Sequence, residues 1–363
     1  MTTRRLGCSG QPPELHLFGS DCSLWRITRS LMAPLNYTSI TSGLAPWGLM
    51  LLVSCGGSGS ESCSVAQEWV QRLSPELANV VAGLDAATID LGEALFHDQQ
   101  LSLSQQLSCA SCHRPEFWYS DPRPRSIGEK GPVSRNAPTV ANRGAASSFF
   151  WDGRASSLKE QALGPLLCVR EMGFTDELFV ERIAYDVKYR AQFLEAFGVD
   201  PSLDKLAEAL GAFESSLVAV GSAFDQFEWG NTEAIMEEAI VGARLFRGKA
   251  GCSQCHMGWS FTDDLFHDIG LMSTDIGRAG VTSLAEDRFR FRTPTLRNVS
   301  RTSPYMHDGS SNTIREVLEH YNSGTHAWRD PSPLLKPLLL SERELASLES
   351  FLLTLECDVV SIR

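Results

Sequence analysis

The sequence predicts a mostly α protein made of two similar modules, each wrapped in long irregular loops. Three observations carry that expectation. Two segments share a C-x-x-C-H pattern, Cys109-Ala110-Ser111-Cys112-His113 and Cys252-Ser253-Gln254-Cys255-His256. The residues around these segments repeat, and apolar residues recur at helical spacing away from them. With 363 residues and 43% hydrophobic side chains, the chain is long enough to bury two separate cores.

Residues 1–62 read as a targeting segment and tether rather than as fold. Arg26 and Arg29 precede an apolar run, Gly48-Leu49-Met50-Leu51-Leu52-Val53, that is too short to span a bilayer. Leu52-Val53-Ser54-Cys55 has the residue types of a lipoprotein processing box, and Gly56-Gly57-Ser58-Gly59-Ser60 would be its flexible tether. The alternative is an ordinary signal peptide with an incidental cysteine. The stretch before Arg26 is long for a signal, which makes Met32 a candidate start. Either way the expected location is the periplasm, with Cys55 as the candidate lipid anchor.

The two C-x-x-C-H segments carry the chemistry. A c-type haem needs two thiols to form thioethers and an adjacent imidazole to ligate the iron, and this pattern supplies all three. A zinc site would need further paired cysteines, and a dithiol redox site has no use for the neighbouring His. Cys109, Cys112 and His113 therefore predict one covalently bound haem c, and Cys252, Cys255 and His256 a second. The net charge of −12 argues against nucleic acid as a partner, because phosphate binding needs clustered Lys and Arg. It suits a redox protein that meets small substrates or basic protein patches.

The halves echo each other beyond these motifs. Gly92-Glu93-Ala94-Leu95-Phe96 parallels Gly242-Ala243-Arg244-Leu245-Phe246. An offset of 156 residues carries Pro138-Thr139-Val140-Ala141-Asn142 onto Pro294-Thr295-Leu296-Arg297-Asn298, and Trp151-Asp152-Gly153 onto His307-Asp308-Gly309. Two cytochrome c-like domains follow, residues 63–230 and 231–363, with the break near Trp229-Gly230-Asn231-Thr232. Helical stripes support them: Leu206, Leu210, Phe213, Leu217 and Val220 in the first, and Leu345, Leu348, Leu352 and Leu355 after a Ser341–Glu344 capping box in the second.

The repeat also exposes a difference. Thr313 and Glu316 make a capping box, and behind it Ile314, Val317, Leu318 and Tyr321 form one apolar stripe that turns Tyr321 toward the second haem. The same offset carries Tyr321 back to Pro165. A tyrosine oxygen can ligate iron and a proline side chain cannot, so the second haem is expected to be closed and the first open. Met306 is an alternative ligand, less well placed than Tyr321.

Leu107-Ser108-Cys109-Ala110-Ser111-Cys112-His113, Arg135-Asn136-Ala137-Pro138-Thr139, Phe150-Trp151-Asp152-Gly153-Arg154 and Glu171-Met172-Gly173 resemble the bacterial di-haem cytochrome c peroxidases. So do Phe266-His267-Asp268-Ile269-Gly270 and Pro304-Tyr305-Met306-His307-Asp308-Gly309. The resemblance implies two cytochrome c-like haem domains packed face to face. It puts Gln161 and Glu171 over the open haem as catalytic residues and Trp151 between the haems as an electron relay. It makes Asn136, Thr302 and Pro304 ligands of one calcium ion between the domains. Tyr321 stands where typical peroxidases carry Met, and there the chain is similar to the methylamine-utilisation maturase (MauG) branch.

Two departures qualify the likeness. Many of these peroxidases place in the loop after the first haem a His that must leave before peroxide binds. Here Arg125-Ser126-Ile127-Gly128-Glu129-Lys130-Gly131 contains none. The maturase has a surface Trp two residues before its second attachment cysteine, and Ala250 is found here. The expected activity is hydrogen peroxide reduction at the first haem with electrons relayed from the second, supplied by a small donor such as a cytochrome c or copper protein. The alternative is a maturase that oxidises Trp or Tyr of a partner protein through a high-valent di-haem state. A non-enzymatic electron carrier with two closed haems is a third reading, against which Pro165 speaks. His307 is a candidate contact to a haem propionate, while His97, His267 and His326 read as hydrogen-bonding or surface residues. Cys168 and Cys357 could pair in an oxidising compartment, with Cys63 the odd candidate, or remain buried thiols.

Overall fold

The computed structural model describes residue 72 and residues 74–324 and 331–363; the expected targeting segment, Met32, Cys55, Cys63 and His326 lie outside these. The described chain is rich in helix. In the first half α1 (Pro75–Ala82), α2 (Ala86–His97), α3 (Leu158–Leu167), α4 (Val187–Phe197) and α5 (Leu203–Ser216) are joined by long loops. In the second half α6 (Ala223–Glu228), α7 (Glu237–Arg247), α8 (Ile314–Ser323) and α9 (Glu342–Leu353) follow the same style. Side chains of Asp85, Ser157, Ser202, Thr313 and Ser341 each accept a hydrogen bond from the backbone N–H three residues on, satisfying a donor the helix itself leaves free. Both expected capping boxes, Thr313–Glu316 and Ser341–Glu344, form.

Among the described residues strand is confined to three small antiparallel pairs. β1 (Ile127–Gly128) pairs with β2 (Gly131–Pro132), β3 (Leu217–Ala219) with β6 (Val359–Ser361), and β4 (Phe266–His267) with β5 (Phe291–Arg292). The β3–β6 pair corrects one expectation. The stripe read through Leu217 and Val220 as helix ends at Ser216, whose hydroxyl donates to the Phe213 carbonyl, and the next three residues turn to β6. Leu217, Val218 and Ala219 are buried in either conformation, so apolar spacing could not separate the two.

The sequence repeat is a repeat of packing. Gly92 on α2 meets α5 so closely that a Cβ would lie 2.0 Å from the Ala209 oxygen, and Gly242 on α7 meets α9 at 1.9 Å from that of Ser347. Only glycine allows either crossing. The Phe96 and Phe213 rings stand 5.1 Å apart at 60°, and Phe246 and Phe351 5.1 Å apart at 59°. Asn142 and Asn298 both take left-handed backbone, with φ of 61° and 59°. Asn142 donates its N–H to the Leu217 carbonyl and accepts at Oδ1 from Ala219; Asn298 does the same with Leu355 and Cys357. Two apolar clusters result, one around Phe96, Phe193 and Phe213, the other around Phe246, Phe261 and Phe351.

Packing passes from the first cluster to the second earlier than the turn at Trp229–Thr232 suggested. Phe224 on α6 already lies against Phe261 and Phe351. The halves then meet through reciprocal bonds. Asn136 donates its N–H to the His307 carbonyl and Arg292 donates to that of Trp151, each at 2.8 Å. The 156-residue offset relates residue 136 to 292 and residue 151 to 307. Arg135 with Asp275, and Arg143 with Asp264, add ion pairs across the same boundary.

Candidate functional site

Each C-x-x-C-H segment opens into its own cavity. The first, of about 170 Å³, is lined by Cys109, Cys112, His113, Gln161, Pro165 and Glu171 among others. The His113 Nδ1 lies 3.1 Å from the Pro138 carbonyl and 3.3 Å from that of Tyr119. A proton held there leaves Nε2 as the free lone pair, the arrangement an axial imidazole needs. Burial lowers the His113 pKa and so keeps the ring neutral. It also raises both thiols, an apolar setting that suits an uncharged thioether.

Gln161 and Pro165 lie one turn apart on α3 and both face this cavity. Glu171 arrives from the loop beyond the helix. Its backbone is fixed by the β1–β2 hairpin: Glu129 donates to the Glu171 carbonyl at 2.8 Å, and a Cβ on Gly128 would meet the Arg170 oxygen at 2.2 Å. Burial raises the Glu171 carboxyl, opposed by the nearby Arg154 guanidinium. The predicted residues of the first site therefore converge.

The second cavity, of about 240 Å³, is lined by Cys252, Cys255, His256, Met306, His307 and Tyr321 among others. His256 Nδ1 lies 3.0 Å from the Phe261 carbonyl, again leaving Nε2 free. Tyr321, Val317 and Ile314 turn one face of α8 to the cavity, as the stripe predicted. Burial, with the neighbouring Cys252 and Cys255, raises the Tyr321 phenol. His320 faces elsewhere, its Nε2 2.9 Å from the Ile269 carbonyl. Helices α3 and α8 span 158–167 and 314–323, so Pro165 and Tyr321 occupy the same position of matching helices, each lining its own cavity.

Trp151 is buried and lines both cavities. Its indole N–H donates to the Asn136 carbonyl at 2.8 Å, and its ring meets His307 edge-on at 6.5 Å between centroids. His307 is stacked on Phe291 at 3.7 Å with Nε2 3.3 Å from the Ser273 hydroxyl, and burial lowers its pKa to about 4. Asn136, Thr302 and Pro304 border the second cavity together, with the Asn136 amide donating to the Arg123 and Pro124 carbonyls.

Some residues escaped the sequence reading. Arg143 and Arg292 line both cavities and share one carboxylate, that of Asp264, at 3.1 and 2.9 Å. Burial and Arg143 push Arg292 down to about 9. Two guanidiniums on one carboxylate leave positive charge in excess at the shared wall. That surplus, the two Nε2 atoms and the thiol pairs fit a haem with its propionates in each cavity. Single arginines far apart in the chain carry no signal of this in sequence. Glu214 on α5 was missed too; it lines the first cavity, and burial raises its carboxyl to about 8. An acid on the buried stripe of Ala207, Leu210 and Phe213 was the available hint. Cys168 is disulfide-bonded whereas Cys357 is a free thiol pushed up to about 12 by burial, so the considered Cys168–Cys357 pair does not form. Cys357 instead joins the two halves: its N–H donates to the Asn298 Oδ1 in the second, and its carbonyl accepts from the Trp118 indole in the first.

A family model described as di-haem cytochrome c peroxidase matches residues 86–233. The chain is 36% identical over 328 residues to methylamine utilization protein MauG of Methylorubrum extorquens, covering 87% of this chain and 93% of that protein. It is 37% identical over 260 residues to cytochrome c551 peroxidase of Nitrosomonas europaea, covering 69% of this chain and 75% of that protein. A crystal structure of a MauG-like protein associated with microbial copper homeostasis superposes with a TM-score of 0.70 at 31% identity, covering 76% of this chain and 91% of that one. With two C-x-x-C-H cavities on one repeated scaffold, the chain belongs to the di-haem cytochrome c peroxidase family of oxidoreductases.

Proposed function

We propose that the first cavity reduces hydrogen peroxide with electrons delivered through the second. One observation carries this reading: Gln161 and Glu171 line the first cavity together with Pro165, a side chain that cannot ligate iron, while Tyr321 stands at the matching position of the repeat in the other. Haem bound in the first cavity supplies the iron that receives peroxide and the electrons that reduce it. Glu171 accepts a proton at its carboxylate from the incoming peroxide and returns it to the departing oxygen, and the Gln161 amide orients the bound molecule. The raised Glu171 carboxyl suits an acid–base group that must hold a proton for part of the cycle. Trp151, in the wall common to both cavities, relays electrons. His307 contacts a haem propionate.

The same reading makes the two halves, divided at 63–230 and 231–363 in sequence but with α6 packing in the second, two cytochrome c-like domains packed face to face. One calcium ion bridges them at Asn136, Thr302 and Pro304, where carbonyl and amide oxygens suit a hard cation. The protein works in the periplasm, with Cys55 as lipid anchor, and draws electrons from a small cytochrome c or copper protein. The test is Glu171→Gln with both haems loaded: peroxide turnover is expected to fall by about 10²–10⁴-fold, and unchanged turnover overturns the role. A second reading, oxidation of Trp or Tyr side chains in a partner protein, is favoured by Tyr321. Ala250, buried beside the second cavity at the position where the maturase carries a surface Trp, weakens that particular route.

A further inference from the structure

Glu214 takes no part in the proposed chemistry, yet it stands in the wall of the first cavity. It is 5% exposed, and its Oε2 has no hydrogen-bond partner among the described residues. Its charge is felt at the Cys109 thiol, the first haem-attachment sulfur. The repeat shows that the scaffold does not require an acid here. Gly92 packs on Ala209 and Phe213 as Gly242 packs on Ser347 and Phe351, and the carbonyls of Leu217 and Leu355 receive Asn142 and Asn298. That correspondence aligns α5 with α9 residue by residue and puts Leu352 at the position of Glu214. Leu352 lines the second cavity. One cavity thus has a carboxyl where the other has a leucine.

Nothing charged nearby accounts for the carboxyl as an ion-pair partner. On the elements packed against α5 the titratable groups are Glu76 on α1, Asp90, Glu93 and His97 on α2, and Lys159 and Glu160 on α3. Asp90 and Glu93 turn to Arg363, Lys159 to Asp204 and Glu208, Glu160 to Ser156, and His97 lies edge-on to Phe96 and Phe213. Around the cavity Arg135, Arg143, Arg154 and Arg292 are paired with Asp152, Asp264 or Asp275, leaving His113 and Glu171 as the other ionisable groups besides the cysteines.

We propose that Glu214 is a redox-linked proton site of the first haem, binding a proton at its carboxylate when that haem gains an electron and releasing it when the electron leaves. The step balances: one electron arrives from the donor protein through the second cavity and lowers the iron by one oxidation state. One proton arrives from solvent and forms the O–H bond on Glu214. Reversal returns both. In a low-dielectric cavity, loss of one positive charge on the haem disfavours the carboxylate and so raises its proton affinity. Leu352 can do none of this, so the two haems respond differently to pH.

The inference rests on a haem in the first cavity and not on peroxide as what reacts there, so each can fail alone. The test is a spectroelectrochemical titration of the full chain carrying both haems, at pH values on both sides of about 8, the value to which burial alone raises the Glu214 carboxyl. In the unaltered protein the first haem's midpoint potential is expected to fall with rising pH, by up to a tenfold change in equilibrium constant per pH unit, about 59 mV. Glu214→Gln flattens that slope and leaves the second haem's response unchanged; Glu214→Leu, which copies the second cavity, does the same. Glu171→Gln keeps the slope. A flat profile in the unaltered protein, a slope that survives Glu214→Gln, or a slope lost in Glu171→Gln overturns the proposal. Absorbance of both haems in Glu214→Gln separates a lost proton site from a lost cofactor.

Discussion

The two cavities share a scaffold and differ in what their walls carry. Both have a C-x-x-C-H turn, a His with Nδ1 turned to backbone carbonyls, a glycine-tight helix crossing and an asparagine corner. On that common frame the first places Pro165 and Glu214 where the second places Tyr321 and Leu352. The shared parts are backbone contacts, which tolerate almost no change: a Cβ at Gly92 or Gly242 would fall within 2.0 Å of a carbonyl oxygen. The differing parts are side chains in the cavity walls. Conserving the frame and varying the lining is how one module can serve two roles.

Experiments that exchange or remove lining residues sharpen that contrast, starting with the largest effect. Cys109→Ala with Cys112→Ala is expected to remove one of the two haems and bring peroxide turnover to background, measured by haem absorbance and peroxide consumption. Turnover that persists would move the reaction to the second cavity. Tyr321→Phe is expected to change the ligand-field bands of the second haem and leave those of the first alone; an unaltered spectrum would rule out ligation by the phenol. Gly92→Ala and Gly242→Ala each force an atom into a helix crossing and are expected to cost about 1–3 kcal/mol or more, read by denaturant titration of the haem-loaded protein. Near-equal losses would support equal reliance on the two crossings, and a large inequality would break the comparison.

The smallest effect per step of the measurement concerns His307, which occupies the position of Trp151 in the other half. Its folded-state pKa is lowered from 6.5 to about 4 by burial, so the folded protein binds fewer protons than the unfolded chain between those values. Stability therefore falls as pH drops through that window, by at most about 1.4 kcal/mol per pH unit. His307→Gln should flatten the dependence in thermal melts at stepped pH, and a profile identical to the unaltered protein's would assign the loss to other groups.

Much of this was legible in sequence. Covalent attachment needs its three residues adjacent in the chain, so Cys109, Cys112 and His113 declare themselves, as do their counterparts at Cys252, Cys255 and His256. Tyr321 was legible because its helix begins at a capping box and carries a clean stripe. Groups that act through long-range proximity were not. Asp264 lies 121 residues from Arg143 and 28 from Arg292, and no local pattern joins them. Glu214 was hidden differently, as one acid in an otherwise ordinary buried stripe, visible only once α5 and α9 are aligned in space. The end of α5 was misjudged because a buried Leu-Val-Ala suits helix and strand alike.

The reciprocal bonds at the boundary have a historical consequence. Asn136 binds His307 as Arg292 binds Trp151, and the equivalent positions 151 and 307 themselves touch. Matched contacts of this kind, in which each surface meets its own copy, are the signature of an isologous dimer about a two-fold axis. Two identical single-haem subunits paired through this face and joined into one polypeptide would leave the same pattern. An ancestral homodimer could not have put tryptophan on one side of its axis and histidine on the other, because every substitution fell on both copies at once. A single polypeptide is free of that constraint, which is how Trp151 and His307 can differ at one position of the repeat.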